Sequence, residues 1–532
     1  MVRPLFIIFL LTCVFSYAQS LDPLATPDVD KQNQWVESTY QSLSLDQKIG
    51  QLFMVMAFSE KDSTHTKELI SLVDTYHLGG VIFSKGTPVR QAKLTNTLQE
   101  HSKVPMLIAM DAEWGLAMRL KETFAYPYNM TLGAVANDSL IYQVGARIGA
   151  HAKRLGVHIN FSPVLDINTN PNNPIIGNRS FGEDKNNVAQ KGLAMMKRMQ
   201  SQEILTSAKH FPGHGDTSTD SHKTLPTIGF SADRIEKIEL YPFKKLIKHG
   251  IESVMVAHLE IPALDARNQY PSSLSKAIVN DLLLEKLSFK GLVFTDALEM
   301  NGVSNYVPNG SAELAALLAG NDILLIPSNI KKGVESIRRA YNDGIITENR
   351  LMHSVKKILK AKYKSGLHDY QPIDIININK DLHTDEDDLL FEKVTEASLT
   401  LIQNNSEVLP IQSLEGHSIA YVSMGSDNGD AFYDQMLHYT DVTRFDAQST
   451  DLLSHLKPFK TVVVGLHHSD ETPWKSYQFN AQELTLLKKI SKKHRTILTI
   501  FAKPYALKKV KNIKSISSSL IGYQNNAIAQ KK

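Results

Sequence analysis

A chain of 532 residues is long enough for two or three domains with a well-buried core. Apolar residues make up 42% and charged residues 21%, and the net charge of +3 is small for this size, an ordinary balance for a soluble globular protein. No basic run is interleaved with aromatics, which removes the electrostatic ground for nucleic-acid binding.

The chain opens MVRPLFIIFLLTCVFSYAQS. Arg3 supplies a charged start, Leu5 to Phe15 an apolar stretch, and Ser16-Tyr17-Ala18 a small-x-small site before Gln19. This pattern predicts a cleaved secretory signal over residues 1–18 and a periplasmic or secreted protein with no integral membrane segment after cleavage. Cys13 is the only cysteine and falls inside that signal. The mature chain would then lack thiols, excluding disulfides, thiol nucleophiles and Cys-ligated zinc together.

Short apolar runs predict strands at 52–58, 80–84, 106–111 and 159–166, then at 206–211, 253–259, 291–297 and 322–327. Amphipathic stretches such as SLIYQVGARIGAHAKRLG separate most of them. The runs are nearly continuous rather than alternating, as for parallel strands covered on both faces. Eight such units predict a (β/α)8 TIM-type barrel over 30–367, with an open doubly wound sheet as the rival. Asp111, Asp166, His210, His258 and Asp296 fall at or near the C-terminal ends of these strands. In a barrel those ends converge on one mouth, where catalytic side chains gather.

The polar stretch 368–387 reads as a linker, and a second α/β pattern follows over 388–532. Its strand candidates are 418–424, 461–466, 496–501 and 519–524, and the expected form is a small parallel sheet in a smaller α/β/α sandwich.

Residues 209–222, KHFPGHGDTSTDSH, concentrate titratable chemistry in one loop. His210 and His214 have the i, i+4 spacing of paired zinc ligands, but Pro212, Gly213 and Gly215 argue against a helix there. A structural histidine cluster is a second reading. A third is acid/base catalysis: Asp220 stands two residues before His222, close enough for its carboxylate to orient the imidazole and stabilise the imidazolium. Gly213 and Gly215 would let such a segment swing over a ligand. Asp296, ending the seventh strand, suits a carboxylate nucleophile, or else an N-cap for the residues after it. An acid/base group with a carboxylate nucleophile is the pattern for splitting an acetal.

KHFPGHGDTSTDSH and GLVFTDALEM together resemble glycoside hydrolase family 3, specifically its β-N-acetylglucosaminidase branch, and MDAEWGLAMRL, NFSPVLDIN, NPIIGNRSFG, MVAHL, AGNDILLIP and GYQN extend the likeness along the chain. The resemblance implies a (β/α)8 barrel followed by an α/β/α sandwich. It implies Asp296 as the nucleophile of a retaining exo-β-N-acetylglucosaminidase (β-hexosaminidase), with His222 as acid/base paired to Asp220. Asp111, Arg119, Arg179, Lys209 and His210 would hold the sugar, with Asp166 and His258 lining or supporting the site. The substrate would be terminal β-linked GlcNAc on peptidoglycan fragments or chitooligosaccharides, with no metal and no cofactor. A histidine acid repels an incoming anion less than a carboxylate would, and some relatives use phosphate as acceptor. Two departures stand out. Trp114 replaces a glycine of the family's DQEGG pattern and is expected to narrow or reshape the sugar pocket. After GYQNNAIAQKK the chain stops where relatives continue, so the sandwich is expected to be cut short. The alternatives are a β-glucosidase or β-xylosidase of the same family, and a catalytically silent glycan-binding protein.

Overall fold

The computed structural model describes residues 22–219, 224–307, 311–414, 418–511 and 513–532. The predicted secretory signal, Asp220 and His222 lie outside them.

The described residues from 22 to about 370 wind around eight buried parallel strands: β1 (Phe53–Ala57), β2 (Gly80–Phe83), β3 (Leu107–Met110), β4 (Ile159–Asn160), β5 (Leu205–Phe211), β6 (Ser253–Val256), β7 (Leu292–Thr295) and β8 (Leu324–Leu325). Neighbours in sequence pair in register, and β8 returns to pair with β1. A bridge between Phe294 and Ile323 joins β7 to β8, so the sheet closes and the open-sheet rival falls. Each of the eight predicted runs matches one of these strands, β5 beginning one residue before its run. The helices between them follow the expected periodicity. In Asp138–Arg154, Ile141, Val144, Ile148 and Ala152 recur every three or four residues on the buried face. Asn137 caps this helix by accepting from the Ser139 N–H, and Lys153 and Arg154 favour its C-terminal end.

The second unit is a six-stranded sheet in the order β11-β10-β12-β13-β14-β9, formed by β9 (Thr400–Asn404), β10 (Ile419–Gly425), β11 (Val442–Asp446), β12 (Thr461–His467), β13 (Arg495–Phe501) and β14 (Ser518–Ile521). Apolar clusters fill both faces, Leu456, Leu487 and Ile490 against one and Phe432, Tyr433 and Met436 against the other. The expectation of a purely parallel sheet needs correction, because β9 runs antiparallel against β14. β9 and β11 are also strands that the apolar runs did not reveal. Both are edge strands with only one neighbour, so TLIQN and VTRFD keep much of their length in water. The last helix, Ala527–Lys531, packs on helices Asp430–Leu437 and Asp385–Ser398.

The stretch expected as a linker is fastened to the barrel. The Asn96 side chain donates to Ile373 O and accepts from its N–H, at 2.9 and 2.8 Å. Arg154 bonds Asp381 and the carbonyls of Asp374 and Ile376. Helix Asp385–Ser398 starts within it and sinks Asp387 completely. Asp387 takes two bonds from Arg147, at 2.8 and 2.9 Å, one from Tyr126, and lies 3.4 Å from His151. Burial alone would raise its pKa, but His151, Arg147 and Tyr126 hold the carboxyl well below the usual range. Asp387→Ala removes one carboxylate from the partly exposed Arg147, which keeps Glu386, and takes the acceptor from the buried Tyr126 hydroxyl, so a loss of about 1–3 kcal/mol is expected, read as a lower melting temperature and faster proteolysis near residue 385.

Candidate active site

The C-terminal ends of the barrel strands open on a cavity of about 320 Å³. Its apolar lining comes from side chains on or next to the strands: Met56, Ile82, Phe161, Met255 and Leu325. One side is a dense charge network. Asp111, just after β3, receives Lys209 Nζ at 2.7 Å on Oδ1 and Arg119 on Oδ2. Glu113, two residues on, is wholly buried and takes Arg179 in a fork, Nε at 2.9 Å and Nη2 at 2.6 Å, with Lys209 Nζ at 2.8 Å. Burial would raise both carboxyls, yet the cations outweigh it: Lys209 and Arg119 hold Asp111 far below the carboxylate range, and Arg179 and Lys209 bring Glu113 down to about 2. Both carboxylates are therefore ionised acceptors near neutrality, held in fixed positions by their cations.

Lys209 and His210 end β5. His210 Nδ1 donates to Asp166 Oδ2 at 2.7 Å, while its Nε2 faces Arg179 Nη2 at 3.4 Å. Asp166 Oδ1 accepts the backbone N–H groups of His210 and His214, at 3.2 and 2.7 Å. Asp166 is thus a buried organiser of the histidine loop and does not line the cavity. His214 lines the cavity beside His210, their rings 5.9 Å apart. The Thr217 hydroxyl gives its hydrogen to His214 O, and so takes His214 Nδ1–H at 2.8 Å. Burial pushes the His214 imidazole down to about 4, with Asp166 opposing, so it stays uncharged near neutrality. Among the described residues, no cluster of three His, Cys, Asp or Glu has a geometry that could hold a metal ion.

The loop is held by hydrogen bonds as far as Thr217. Asp216 accepts from Thr169, and Asn173 bonds His214 O. A Cβ on Gly215 would lie 1.9 Å from Ile167 O, so glycine there serves close packing. This corrects the expected hinge role for Gly215.

Asp296 sits one residue past β7, partly exposed in the cavity. Its N–H donates to Val256 O at 2.9 Å, and its Oδ1 accepts from the Ala297 N–H at 2.8 Å. The next helix begins only at Asn301, with Met300 before it, so Asp296 is not its N-cap. His258 is buried behind: its Nε2–H donates to Ala297 O at 2.9 Å and its Nδ1 bonds the Ser273 hydroxyl. It therefore steadies the backbone beside Asp296 rather than lining the cavity. Trp114 also differs from expectation. It turns away from the cavity to meet Tyr128 edge-on at 4.9 Å, so it supports the neighbouring wall without narrowing the pocket.

The structure brings together Asp111, Arg119, Arg179, Lys209, His210 and Asp296 around one cavity. Two participants escaped the sequence. Glu113 was visible only as a surviving motif letter, although an acid two residues after Asp111 beside a strand end was a usable signal. Trp474 reaches the cavity from the second unit, and nothing local in its sequence announced that.

The buried histidines and carboxylates set an acid limit on stability. His158, His214 and His467 are lowered by burial to about 3, 4 and 4. Their unfolded forms titrate near pH 6.5, so unfolding takes up protons between that value and about pH 4. Melting temperature is expected to fall as pH drops below about 6.5. It should fall more steeply below about pH 4, where the unfolded counterparts of Asp111, Glu113 and Asp166 protonate and the stability supplied by their lowered pKa values is lost. Scanning calorimetry from pH 3 to 8 checks both slopes.

A closed barrel with a carboxylate at one strand end facing a charged, sugar-sized pocket, joined to an α/β sandwich, defines a glycoside hydrolase. Residues 44–361 match the family model described as "Glycosyl hydrolase family 3 N terminal domain". The chain belongs to glycoside hydrolase family 3. It is 30% identical over 385 residues to a β-N-acetylglucosaminidase/β-glucosidase of Cellulomonas fimi, covering 71% of this chain and 68% of that protein. It is 33% identical over 334 residues to β-hexosaminidase A of Pseudoalteromonas piscicida, spanning 57% of this chain and only 56% of that relative's length. Among solved structures, a family 3 β-N-acetylglucosaminidase from Paenibacillus sp. str. FPU-7 superposes with a TM-score of 0.75 at 28% identity, over 92% of this chain and 95% of that one.

Proposed function

We propose that this enzyme is a retaining exo-β-N-acetylglucosaminidase of the cell envelope, releasing terminal β-linked GlcNAc from chitooligosaccharides or peptidoglycan fragments. The observation that carries the reading is the cavity of about 320 Å³ at the C-terminal ends of the barrel strands, with Asp296, Asp111, Lys209 and Arg179 on its walls and Glu113 buried behind them. That volume lies at the small end of ligand sites (about 300–1,000 Å³), which suits one terminal sugar ring rather than a chain. Asp111, Arg119, Lys209, Arg179 and His210 bind the ring hydroxyls. Asp296 attacks C1 and the C1–O bond breaks, while His222 passes its proton to the departing oxygen. His222 then takes a proton from water, which attacks C1 and frees Asp296. The names of the relatives support GlcNAc as the sugar, and the residue pattern at the start of the chain supports export.

The test is product analysis on chitobiose and a disaccharide muropeptide, with and without phosphate. Free GlcNAc, formed first as the β-anomer, is expected. Initial α-anomer would mean inversion, and GlcNAc 1-phosphate would mean phosphorolysis. The double name of the Cellulomonas relative favours a second reading, in which the pocket also takes β-glucosides; p-nitrophenyl β-glucoside assayed in parallel decides it.

A further inference from the structure

The two parts of the second unit carry opposite charge. Residues 388–483 hold fourteen Asp or Glu against five Lys or Arg. Residues 484–532 hold twelve Lys or Arg and no Asp or Glu. The last acid, Glu483, is used within the fold, accepting the N–H groups of Gly425 and Asn480 at 2.9 and 2.7 Å. Of the twelve cations, only Lys508 and Lys532 form an ion pair among the described residues, at 3.7 Å to Glu183 and 2.7 Å to Glu392. An ordinary solvated surface intersperses both signs. This one does not.

The fold gathers the unpaired cations at one end of the sheet. Lys488 and Lys489 stand exposed in the last turn of helix Ala481–Ser491, with Lys492 and Lys493 directly after it. The Ser491 and Ser515 hydroxyls meet at 3.0 Å, which brings the segment bearing Lys511 and Lys514 alongside. Arg495 opens β13, and its N–H donates to Lys460 O at 3.1 Å, so Lys460 joins the same end. These are the N-terminal ends of β12 and β13. Their C-terminal ends lead into loops that touch the barrel, where Tyr477 donates to Pro171 O and Tyr505 to Asn168 O. The basic end therefore points away from the barrel.

A groove of about 350 Å³ runs between that helix and the segment after Pro504. Leu484, Leu487, Val510 and Ile516 line it, with Lys488 on one bank and Lys509 and Lys511 on the other. Two features select among anionic partners. Eleven of the twelve cations are lysines. An ammonium is a point charge on a flexible stem, without the fork that reads a single carboxylate or phosphate, so it suits a diffuse anionic surface. The apolar groove between the lysines suits a partner with hydrocarbon behind its charge. An anionic bilayer supplies both, whereas a soluble polyanion supplies only the charge. Among the described residues no helix is long and apolar enough to cross a membrane, so contact of this kind is peripheral.

We propose that the lysine end of the sandwich docks on the surface of an anionic phospholipid bilayer, with the groove against the interface and the barrel held away from it.

The experiment is co-sedimentation of the full chain with two kinds of vesicle, phosphatidylcholine alone and phosphatidylcholine with about one third phosphatidylglycerol. Wild type is compared with a variant carrying Lys488→Gln, Lys492→Gln, Lys509→Gln and Lys511→Gln together. Wild type is expected to bind the anionic vesicles at least about tenfold more tightly at about 50 mM salt, and to be released as salt approaches about 500 mM. The variant should bind them at least about tenfold more weakly, with an unchanged melting temperature, because these exposed side chains have no partner to lose. The phosphatidylcholine vesicles also account for the apolar start of the chain, whose affinity does not depend on lipid charge. Soluble polyphosphate at matched phosphate concentration should bind more weakly than the anionic vesicles. Equal binding to both vesicles, no binding to either, or a variant that binds as wild type does would overturn the proposal. So would polyphosphate binding as tight as that to the anionic vesicles, which would make the partner a polymer.

Discussion

Asp296→Asn is expected to lower kcat on p-nitrophenyl N-acetyl-β-glucosaminide by about 10⁴-fold or more while leaving the melting temperature nearly unchanged. The size follows from the proposed role as nucleophile. An amide of the same shape keeps the contacts of the loop but cannot supply the electron pair that forms the bond to C1. The small structural cost follows from the surroundings. The backbone on either side is held independently, by Val256 O accepting from the Asp296 N–H and by His258 donating to Ala297 O. The carboxylate is partly exposed, so its replacement strands no buried charge. A 5-fluoro analogue of N-acetyl-β-glucosaminyl fluoride, which slows both steps, should label wild type, and peptide mapping should place the adduct on Asp296. Adduct on another carboxylate, or an Asp296→Asn variant with wild-type kcat, would remove the residue from its role.

The barrel was legible because burial writes plainly. Each strand is covered on both faces, so each shows as an apolar run, and the polar residues that end those runs mark the mouth. Asp111, His210 and Asp296 could be found for that reason, whereas Lys209 came only with the family resemblance. What the sequence hid is whatever depends on partners distant along the chain. Glu113 needs Arg179 and Lys209 beside it to be recognisable as a buried anion. His214 looked like half of a zinc pair until Thr217 and Asp166 accounted for its Nδ1 and its backbone. Trp114, read as an intruder in the pocket, turns out to spend its ring on Tyr128. β9 and β11 carry too little apolar content to stand out, because an edge strand has one neighbour and one wet side. Trp474 lies about 300 residues from the pocket segment it touches, a contact no local pattern could disclose.

The acid/base role proposed for His222 leads to the second large expected effect, and its signature is a dependence on the leaving group. The segment that bears Asp220 and His222 departs from a well-anchored base, since Thr217 is locked to His214 and Asn173, and Asp216 to Thr169. His222→Ala should cost about 10²–10⁴-fold on chitobiose, where the departing sugar alkoxide is a strong base and needs a proton. On N-acetyl-β-glucosaminyl fluoride the first step needs little help, so it should stay fast. The second step still needs a base to take the proton from water, and that base is gone. The two rates therefore separate, and the glycosyl-enzyme should accumulate on Asp296 as a burst of fluoride and a mass increase of one N-acetylhexosaminyl residue. Azide, an anion that needs no deprotonation, should restore turnover and yield the β-glycosyl azide. In the proposed dyad, Asp220→Asn would remove the negative charge that stabilises the imidazolium, which would lower the imidazole pKa. The alkaline limb of kcat/KM should accordingly move to lower pH in that variant. If His222→Ala lost activity equally on both substrates, with no burst and no azide rescue, the proton would have to come from another residue. His214 would be a poor replacement, because burial keeps its imidazole near a pKa of about 4 and Thr217 already takes its Nδ1–H.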